Sequence, residues 1–598
     1  MKDTTKVLMD FIDEQAALHP NHPAVISRAG ETSYGELVCR MNGVSAGLSE
    51  RGIVRETPVA VSSDRSLAWI VGALGVLHAG GMYIPVDPLY PLKRKIRMLE
   101  DAGVRLMLID APPPAPLPDS IELAMLDGDW PVANSLSEKP EVIPGQAAYG
   151  IYTSGSTGTP KNVIVTHEGL ANYAVVLRRE LLLTSADRYL HTASLAFSAS
   201  MRQLVAPLVS GAGVVIATRE QIRDPASLIY WMLQAGVTIF DTVPSYLARW
   251  LAAVLKSPRD WREKLAVSLR LVLTTGEPLP AATVNSLRAA LPNVRILNLY
   301  GQTETTGAVA IHEVETTDSD PVPIGRALPP SQFYVLNEQM EPSVEGELYV
   351  SGPCLARCYQ GQPDTNASRF LGDPFSAIPG ARMYRTGDRV RRLNNGLFEF
   401  KGRTDSQVKV NGIRIELGEI DAALLEHPDV QEATTVLRST GGQDLGLVAF
   451  VVRRAARGCS SEELRAFLAT ALAEAMVPGV LVFVDELPRT SSGKVDRPSL
   501  LVADISPSSA KPSVAAPSTR MECLVAKCWE DELKVTGIGL EDDFFTLGGN
   551  SLQAIEMIYR LQELLPAQLP LSALFFQDPM LKGFAALLSE LFRIEERE

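Results

Sequence analysis

The stretch "YTSGSTGTPKNVIVTHEGL", residues Tyr152–Leu170, joins a strand-like run to a Ser/Thr/Gly-rich loop ending in Lys161. Small residues let backbone N–H groups approach a phosphate closely, while hydroxyls add donors and the lysine adds charge. The spacing differs from that of a Walker loop, G-x-x-x-x-G-K-[ST]. Taken alone, the stretch fits either a phosphate-binding loop or a flexible surface turn.

Outward from this loop, short apolar runs such as "VRLMLID" (Val104–Asp110) and "LRLVLTTG" (Leu269–Gly276) alternate with longer helical patterns through about Phe400. That alternation predicts α/β layers with mainly parallel strands. A smaller α+β unit is expected to follow, up to about Leu501. From Met521 onward, apolar residues at spacings of three and four predict a small all-α four-helix bundle.

The length of 598 residues predicts two to four folding units. We place a large N-terminal α/β subdomain at residues 1–402 and a small, mobile C-terminal α+β subdomain at 403–502. Residues 503–519, rich in Ser, Pro and Ala, read as a linker. The helical bundle is expected at 520–598.

Composition argues against several classes of function. A formal net charge of −14 supplies no basic stripe for nucleic acid. The six cysteines suit reduced thiols better than a disulfide framework, and Cys354 and Cys358 lack a second pair that would complete a zinc site. The apolar run Trp69–Val86 is too interrupted for a membrane span, and the first residues lack the apolar core of a signal peptide. We expect a cytoplasmic protein that binds neither nucleic acid nor membrane.

Further motifs follow in order: "NLYGQTETTGA" (Asn298–Ala308), "GELYVSGPCLARCYQ" (Gly346–Gln360), "MYRTGDRVRRL" (Met383–Leu393), "FKGRTDSQVKVNGIRIELGEI" (Phe400–Ile420) and "LPRTSSGKVDR" (Leu487–Arg497). With the first loop, they resemble the successive core motifs of the adenylate-forming superfamily, and more narrowly an adenylation domain of nonribosomal peptide synthetases. The resemblance covers about residues 8–501. It implies that a carboxylic acid reacts with ATP to give an acyl-adenylate and pyrophosphate, and that the acyl group then passes to a thiol.

The resemblance also implies roles for single residues. A carboxylate that attacks the α-phosphorus brings two anions together, so the site must supply positive charge. Lys494 matches the lysine that bridges the acyl carboxylate and the phosphate, and Lys161 and Glu304 complete the implied catalytic set. Glu304 and Thr157 are the implied Mg²⁺ ligands, since a hard cation takes oxygen donors. The implied nucleotide-binding residues are Thr153, Ser154, Gly155, Ser156, Thr157, Gly158, Asn298, Tyr300, Thr303, Asp388 and Arg403.

Within that set, Asp388 matches the carboxylate that binds the ribose hydroxyls, with Arg403 beside it and Asn298 and Tyr300 toward the adenine. Asp405 matches the hinge of the family. The small subdomain is expected to rotate about this hinge, because two reactions with different geometries in one site need a rearrangement. Two positions depart from the family pattern: Gln302 stands where many members have proline, and Asn411 stands where arginine is frequent.

A second chemistry lies near the end of the chain. "DDFFTLGGNSLQAIEM" (Asp542–Met557) resembles the phosphopantetheine site of a peptidyl carrier domain, with Ser551 as the attachment point. Gly548 and Gly549 allow a tight turn, and a helix that begins at Ser551 favours a phosphate at its N-terminus. A plain N-cap serine would fit the same position. The resemblance implies 4′-phosphopantetheine as a cofactor and a phosphopantetheinyl transferase as a partner.

The stretch "LAFSASMRQL" (Leu195–Leu204) concerns the substrate. Family members that activate α-amino acids carry an aspartate where this chain has Ser198, and that aspartate pairs with the ammonium. Matching by motif gives the substrate-pocket residues Ser198, Ala199, Arg202, Ser245, Leu273, Thr275, Leu299, Gly307 and Ala308. Ser198 and Arg202 are four residues apart and share one helical face, so both could look into the pocket. A buried arginine needs an anion, from the protein or from the substrate.

Two interpretations of the pocket stay open. In the first, the substrate is an acid other than a standard α-amino acid, with a second carboxylate or another anionic or strongly accepting group facing Arg202. In the second, Ser198 caps the helix, Arg202 pairs with a protein carboxylate outside the pocket, and backbone carbonyls or a shifted group hold the amine.

The resulting prediction is a free-standing adenylation–carrier pair that loads a carboxylic or amino acid and passes it to condensing or tailoring enzymes in trans. An MbtH-like protein is a further candidate partner. The alternative enzyme is an acyl-CoA or aryl-CoA ligase with a vestigial carrier tail. An inactive docking module is a third reading, disfavoured because Lys161, Glu304, Asp388 and Lys494 are all present.

Overall fold

The computed structural model describes residues 6–131, 141–155, 160–315, 319–440, 443–454, 459–490, 494–502, 515–533, 535–544, 547, 551–565 and 580–592. These residues fall into two compact units, one reaching Arg414 and the other beginning at Ile415. The larger unit thus extends beyond the predicted boundary at residue 402, because Gly412 and Arg414 are hydrogen-bonded to residues earlier in that unit. The four-part division made from the sequence stays a prediction.

The larger unit begins with α1 (Leu8–Leu18), β1 (Pro23–Ser27), β2 (Gly30–Ser33), α2 (Tyr34–Glu50), β3 (Pro58–Ser62), α3 (Leu67–His78), β4 (Met82–Pro85), α4 (Leu92–Ala102), β5 (Leu106–Ile109), β6 (Glu122–Met125), β7 (Ala147–Thr153), β8 (Lys161–Thr166), α5 (His167–Glu180), β9 (Arg188–His191), α6 (Ser198–Leu208) and β10 (Gly213–Ile216). It continues with α7 (Arg219–Arg223), α8 (Pro225–Ala235), β11 (Ile239–Thr242), α9 (Pro244–Lys256), α10 (Arg259–Ser268), β12 (Leu271–Thr275), α11 (Ala281–Ala290), β13 (Arg295–Gln302), a 3₁₀ turn (Thr303–Thr305), β14 (Gly307–Glu313) and β15 (Arg326–Ala327).

After these come β16 (Gln332–Leu336), β17 (Glu345–Ser351), β18 (Cys358–Tyr359), α12 (Pro363–Arg369), β19 (Phe370–Gly372), β20 (Arg382–Arg392), β21 (Phe398–Arg403), β22 (Gln407–Val410) and β23 (Ile413–Glu416). The smaller unit contains α13 (Leu417–Leu425), β24 (Val430–Thr440), β25 (Gln443–Arg453), α14 (Ser461–Ala469), a 3₁₀ turn (Glu474–Met476), β26 (Val480–Phe483), α15 (Arg497–Val502), α16 (Arg520–Leu533), α17 (Ser551–Leu564) and α18 (Leu581–Phe592).

Two large sheets form the framework of the larger unit. Among the described residues, one sheet has nine strands in the order β15-β14-β13-β12-β11-β9-β10-β1-β2, and the other has seven in the order β18-β8-β7-β4-β3-β5-β6. In the first sheet, the strands from β13 to β1 run parallel, and antiparallel strands close both edges. In the second sheet, β4, β3, β5 and β6 run parallel and β7 joins them on β4. The predicted α/β architecture with mainly parallel strands is confirmed.

Helices cover these sheets with apolar side chains. The run Trp69–Val86 forms α3 and β4, and Trp69 is fully buried with its indole N–H donating to the Tyr83 hydroxyl at 2.8 Å. A helix that is apolar on every side is typical of a buried core helix, which accounts for the long apolar run in this stretch. Within the described ranges, no helix combines the length and the apolar character needed to cross a membrane.

In the sequence, the apolar residues Met201, Leu204, Val205 and Leu208 recur at helical spacing, which predicts a helix, and the structure has α6 at this place. Met201, Leu204, Val205 and Leu208 are all fully buried. The helix begins at Ser198, and Phe197 holds the N-cap position without a side-chain cap bond. The interpretation of Ser198 as a helix cap is therefore wrong.

The smaller unit contains a three-stranded sheet, β24-β25-β26, followed by helices α16, α17 and α18. The three helices share an apolar core in which Trp529 packs edge to face against Phe544, with the ring centroids 5.2 Å apart. The described residues thus include three of the four helices expected for the carrier bundle. Residues 566–579, between α17 and α18, lie outside the described residues.

Candidate active site

The carboxyl end of β13 brings the first predicted site residues together. Tyr300, on this strand, donates its hydroxyl hydrogen bond to Oδ2 of Asp388, and Gln302 donates from Nε2 to the same oxygen at 2.6 Å. Asp388 lies on β20 and is almost fully buried. Residues at the carboxyl ends of parallel strands commonly line the ligand site of an α/β sheet. The two donors fix the carboxylate that the sequence assigned to the ribose.

Arg403 supplies the charge partner of Asp388. Its Nη1 donates to Oδ1 of Asp388, while Nε and Nη2 donate to Asp405 at 2.7 and 2.9 Å. Burial lowers the pKa of Arg403, but Asp405 and Asp388 outweigh that effect and hold the pKa above its ordinary value. Burial, and then the neighbouring Asp388, raise the pKa of Tyr300, which therefore stays a hydroxyl donor. A carboxylate offers about four acceptor positions, so Asp388 keeps capacity for a ribose hydroxyl.

Glu304 lies in the 3₁₀ turn that follows β13, and its side chain is fully buried. Arg414 Nη1 donates to its Oε1 at 2.7 Å and to its Oε2 at 2.8 Å, and the Tyr359 hydroxyl donates to Oε1 at 2.7 Å. Burial raises the pKa of Glu304, but Arg414 and Tyr359 outweigh it, and the pKa lies below its usual value. Glu304 is therefore a buried, ionised carboxylate.

An ionised carboxylate is the donor chemistry that Mg²⁺ takes, so Glu304 fits the metal that the sequence predicted. In the arrangement seen here, both of its oxygens already accept hydrogen bonds from Arg414. A divalent cation at these oxygens would require Arg414 to withdraw, because two positive groups would otherwise share one partner. When bound, Mg²⁺ would offset the negative charge of the triphosphate. The second predicted ligand, Thr157, lies outside the described residues.

The predicted phosphate loop joins β7 to β8, which pair antiparallel with Thr153 opposite Lys161. Lys161 is buried, and its ammonium lies over the ring of Tyr359, 5.7 Å from the centroid. Ser154 donates its hydroxyl hydrogen bond to the Arg414 carbonyl at 3.0 Å. Lys161 and Ser154 thus both lie beside groups that contact Glu304. Gly155 follows Ser154, whereas Ser156, Thr157 and Gly158 lie outside the described residues.

The side chain of Asn298 is held by the loop that precedes β15. It is buried on β13, and Nδ2 donates to the Pro323 carbonyl at 2.9 Å. This bond fixes the loop that precedes β15. The assignment of Asn298 to the adenine side stays a prediction.

Ser198 connects the predicted pocket to the nucleotide motif. Thr303, in the 3₁₀ turn after β13, donates its hydroxyl hydrogen bond to Ser198 Oγ at 3.3 Å. The position that carries an ammonium-binding aspartate in the resembled family is therefore occupied by a neutral hydroxyl with a neutral partner. Ala199 follows Ser198 on α6 and is half-buried.

Arg202 does not share the environment of Ser198, although the two residues are one helical turn apart. Its Nε donates to Asp241 Oδ2 at 2.7 Å and its Nη2 donates to Asp241 Oδ1 at 2.9 Å. Tyr189 adds a hydroxyl hydrogen bond to Oδ2 at 2.8 Å. The exposed fractions of the Arg202 and Asp241 side chains are 3% and 0%. The Asp241 carboxylate on β11 thus supplies the anion that a buried Arg202 needs, and the assignment of Arg202 to the substrate pocket stays a prediction.

Burial lowers the pKa of Arg202, but Asp241 outweighs this effect, so the pKa lies above its ordinary value. The guanidinium is therefore charged, desolvated and paired in a bidentate geometry, which is the strongest form of such a contact. Of the partners that the sequence left open, the structure contains the protein carboxylate.

Other predicted pocket residues lie close to this pair. Leu273, Leu299 and Ala308 belong to one buried apolar cluster with Tyr173 and Tyr189. The Ala308 N–H donates to the Tyr173 hydroxyl at 3.1 Å.

Three further pocket positions lie at or near the ends of their elements: Gly307 begins β14, Thr275 ends β12, and Ser245 lies in the first turn of α9. A Cβ at Gly307 would lie 2.5 Å from the Tyr173 hydroxyl oxygen, so only glycine fits there. Thr275 ends β12 and is half-buried. Ser245, in the first turn of α9, is exposed, and Glu277 accepts from its hydroxyl at 3.0 Å.

The remaining predicted residues lie apart from this cluster in the chain. Asp405, the predicted hinge, accepts from Arg403 and from Arg369, and these arginines hold its pKa below the usual value although burial raises it. Lys494, in the smaller unit, is exposed, and its carbonyl accepts from the Thr490 N–H at 2.7 Å. Ser551 is the first residue of α17, as predicted, and residues 548–550 lie outside the described residues. The roles of these three residues stay predictions.

Sequence reasoning missed several residues that contact the predicted site, among them Arg414, Tyr359 and Glu277, besides Asp241 and Tyr173 described above. Arg414 and Tyr359 lie inside two of the quoted motifs, and Glu277 directly follows β12 in "LTTGEP". A charged side chain next to a strand end was the available signal for Glu277. For Arg414 the signal was the motif itself, of which Arg403, Asp405 and Asn411 were named from the sequence.

Comparisons with known proteins agree with this geometry. Residues 12–360 match the family described as AMP-binding enzyme, residues 419–494 match the AMP-binding enzyme C-terminal domain, and residues 523–588 match the phosphopantetheine attachment site. A dimodular nonribosomal peptide synthase of Bacillus subtilis (strain 168) is 38% identical over 591 residues, covering 97% of this chain and 24% of the relative. Tyrocidine synthase 1 of Brevibacillus parabrevis is 32% identical over 565 residues, covering 93% of this chain and 50% of the relative. The chain therefore spans half or less of these relatives.

Among solved structures, a holo nonribosomal peptide synthetase protein containing adenylation and PCP domains, bound to a vinylsulfonamide inhibitor, matches with a TM-score of 0.81 and 25% identity. The match covers 98% of this chain and 97% of that one. An artificially fused adenylation–PCP di-domain from Klebsiella oxytoca, 23% identical, shares the fold with a TM-score of 0.69, covering 80% of this chain and 93% of its own. This chain belongs to the AMP-binding enzyme family and is an ATP-dependent ligase built as an adenylation–carrier didomain of the nonribosomal peptide synthetase type.

Proposed function

We propose that this chain activates a carboxylic acid as its adenylate at the site around Asp388 and Glu304, and loads the acyl group on phosphopantetheine carried by Ser551. The observation that carries the proposal is the segment from Tyr300 to Glu304. Within five consecutive residues it contacts the predicted ribose carboxylate, the predicted pocket hydroxyl, and the Arg414 and Tyr359 donors. One strand end therefore supports recognition of both nucleotide and acid.

The substrate follows from the charges of the pocket. Ser198 offers no carboxylate for an ammonium, and Asp241 is already engaged by Arg202 and Tyr189. Arg202 is equally engaged, so its guanidinium is not available to a second carboxylate on the substrate. An unpartnered charge in a desolvated pocket is costly. We propose a neutral acid without an α-ammonium, such as a keto, hydroxy or aryl acid, and no longer one with a second carboxylate.

Substrate-dependent ATP–pyrophosphate exchange tests this proposal. A panel would compare α-amino acids with matched keto, hydroxy, aryl and dicarboxylic acids of the same carbon skeleton. We expect exchange with a neutral acid and weak exchange with the α-amino and dicarboxylic acids. In the matched variant Ser198→Asp, the new carboxylate should improve exchange with the α-amino acid relative to the keto acid. Wild-type exchange dominated by an α-amino or dicarboxylic acid would refute the substrate assignment and leave the adenylation chemistry intact.

Partners follow from the loading step. The carrier domain needs a phosphopantetheinyl transferase, which converts Ser551 to its holo form. We propose that the loaded acyl group is then used by condensing or tailoring enzymes acting in trans, with an MbtH-like protein as a candidate activator. Addition of a purified MbtH-like protein to the exchange assay tests the last point, and an unchanged rate would argue against it.

A further inference from the structure

The hairpin β22–β23 makes a close approach to the ends of β11 and β12. Its turn, Asn411–Gly412, has positive φ at both residues, 49° and 74°. A Cβ at Gly412 would lie 2.3 Å from Val243 Cγ1, and a Cβ at Gly276 would lie 3.4 Å from Gly412 Cα. The turn therefore packs against Val243 and Gly276 as closely as the backbone allows, which requires glycine.

One carboxylate holds this turn in place. The Gly412 N–H donates to Glu277 Oε1 at 2.6 Å. The same carboxylate accepts the Ser245 hydroxyl and the Ser245 N–H, each at 3.0 Å. Glu277 thus joins the hairpin turn to the first turn of α9, where a predicted pocket residue lies. Hydrogen bonds from backbone N–H groups to an ionised carboxylate are stronger than neutral ones.

Two residues beyond the turn, Arg414 occupies both oxygens of Glu304, and its carbonyl accepts from Ser154. Glu304 is the residue that fits Mg²⁺, and a guanidinium and a divalent cation cannot share its oxygens. The seated hairpin and metal-bound Glu304 are therefore alternative arrangements. The seated hairpin suits the stage after pyrophosphate and metal have left, when the acyl group moves to the thiol.

We propose that Glu277 is a positioning residue for acyl transfer, acting through the Gly412 turn to seat Arg414 on Glu304. The inference rests on the proposed function. In that step, the pantetheine sulfur forms a C–S bond to the acyl carbon, the C–O bond to AMP breaks, AMP leaves as the anion, and the thiol proton passes to water. Glu277 does not contact the reacting atoms, and its effect is confined to the population of the seated hairpin.

The test separates the two half-reactions in the holo full-length chain. In Glu277→Ala, single-turnover loading of the carrier should slow about 10-fold, the scale of one charge-assisted hydrogen bond at a partly exposed site, while ATP–pyrophosphate exchange changes by less than about 2-fold. Glu277→Gln keeps an acceptor for Gly412 and should recover part of the loading rate. Glu338→Gln, on an exposed loop, is the matched control and should leave both rates unchanged.

A binding measurement supplies a readout independent of turnover. Titration calorimetry of the Mg²⁺ complex of a non-hydrolysable ATP analogue should show binding to Glu277→Ala that is as tight as to the wild type or tighter, since the competing hairpin state is weakened. Gly412→Ala, whose Cβ would overlap Val243, should reproduce both effects without touching a carboxylate.

The outcomes separate cleanly. Parallel losses of exchange and loading in Glu277→Ala and Gly412→Ala would overturn the positioning role in favour of a purely structural one. Unchanged loading in both variants, or weaker analogue binding in both, would also overturn it. A wild-type chain that supports no exchange with any acid would instead refute the proposed function itself.

Discussion

At the scale of single residues, the site is built from charges that are buried together with their partners. Asp388 lies between Tyr300, Gln302 and Arg403, and Glu304 lies between Arg414 and Tyr359. The Arg202–Asp241 ion pair is buried more completely than the groups around Asp388 and Glu304. Its hydrogen bonds involve neither of those two carboxylates. A desolvated ion pair contributes less than its geometry suggests, but removal of one partner leaves an uncompensated charge.

Removal of Asp241 should therefore destabilise the larger unit severely. We expect Asp241→Ala to cost about 3–5 kcal/mol in the free energy of unfolding, because Arg202 stays charged without its partner. The double variant Arg202→Met, Asp241→Ala should be more stable than the single variant, since neither charge remains. Chemical denaturation of the wild type, the single variant and the double variant measures both changes in the free energy of unfolding. Equal losses in the single and double variants would show that the pair is not coupled.

Two buried histidines predict acid sensitivity. Burial lowers the pKa of His167 to about 4 and of His191 to about 3, from an ordinary value of 6.5. Because the unfolded chain binds these protons more readily, stability is complete above about pH 6.5 and is lost as the pH falls toward the folded pKa values. Each histidine should lower the free energy of unfolding by about 2 kcal/mol as the pH falls from about 6.5 to about 5.

Thermal unfolding measured at pH 7, 6 and 5 checks this acid sensitivity. The midpoint temperature of unfolding of the larger unit should fall as the pH falls. In His191→Gln, the dependence of this midpoint on pH should be about half as steep, because one of the two histidines is removed. An unchanged slope in the variant would exclude His191 as a source.

At the scale of elements, β13 and the turn after it carry the recognition residues, and β13 packs tightly against the start of β14. The pairing of β13 with β14 shifts between Tyr300 and Gly301. A Cβ at Gly301 would lie 1.9 Å from the Gly307 carbonyl oxygen. Because this oxygen belongs to the backbone, it cannot move aside without a shift of the chain. Tyr300 and Gln302 are two residues apart on β13 and so point to the same face of the strand, and both reach Asp388.

Gly301→Ala should consequently cost about 1–3 kcal/mol or more in stability and weaken nucleotide binding, because the strand end must move away from Asp388. Gly372→Ala is the matched control, since a Cβ there would meet nothing within 4 Å. Thermal unfolding and ATP-analogue titration of both variants measure the two effects. Equal behaviour of Gly301→Ala and its control would contradict the account of this strand end.

The elements also show what the sequence could and could not predict. The alternation of apolar runs was enough for the parallel α/β sheets, and the spacing of Met201, Leu204, Val205 and Leu208 was enough for α6. The partner of Arg202 could not be predicted from the sequence. Asp241 lies 39 residues further along the chain, and only the order of strands in the sheet brings it beside Arg202. Motif resemblance assigned Glu304 and Asp388, but their donors Arg414 and Tyr359 depend on tertiary packing.

At the scale of the whole molecule, the chain joins an activating unit to a carrier bundle. The larger unit contains Asp388 and Glu304, and the smaller contains Lys494 and Ser551. The bundle has its own apolar core around Trp529 and Phe544, so a change at Ser551 should leave its packing intact. The two half-reactions can therefore be separated by substitution: Ser551→Ala should abolish loading and keep ATP–pyrophosphate exchange.

The most direct measurement is the intact mass of the holo protein after incubation with ATP, Mg²⁺ and the acid that best supports exchange. We predict a mass increase equal to the acyl group, located on the phosphopantetheine arm and absent from Ser551→Ala. The contradicting result is exchange without any acyl adduct, accompanied by release of an acyl-CoA when free CoA is supplied. That outcome would identify a CoA ligase with an idle carrier tail.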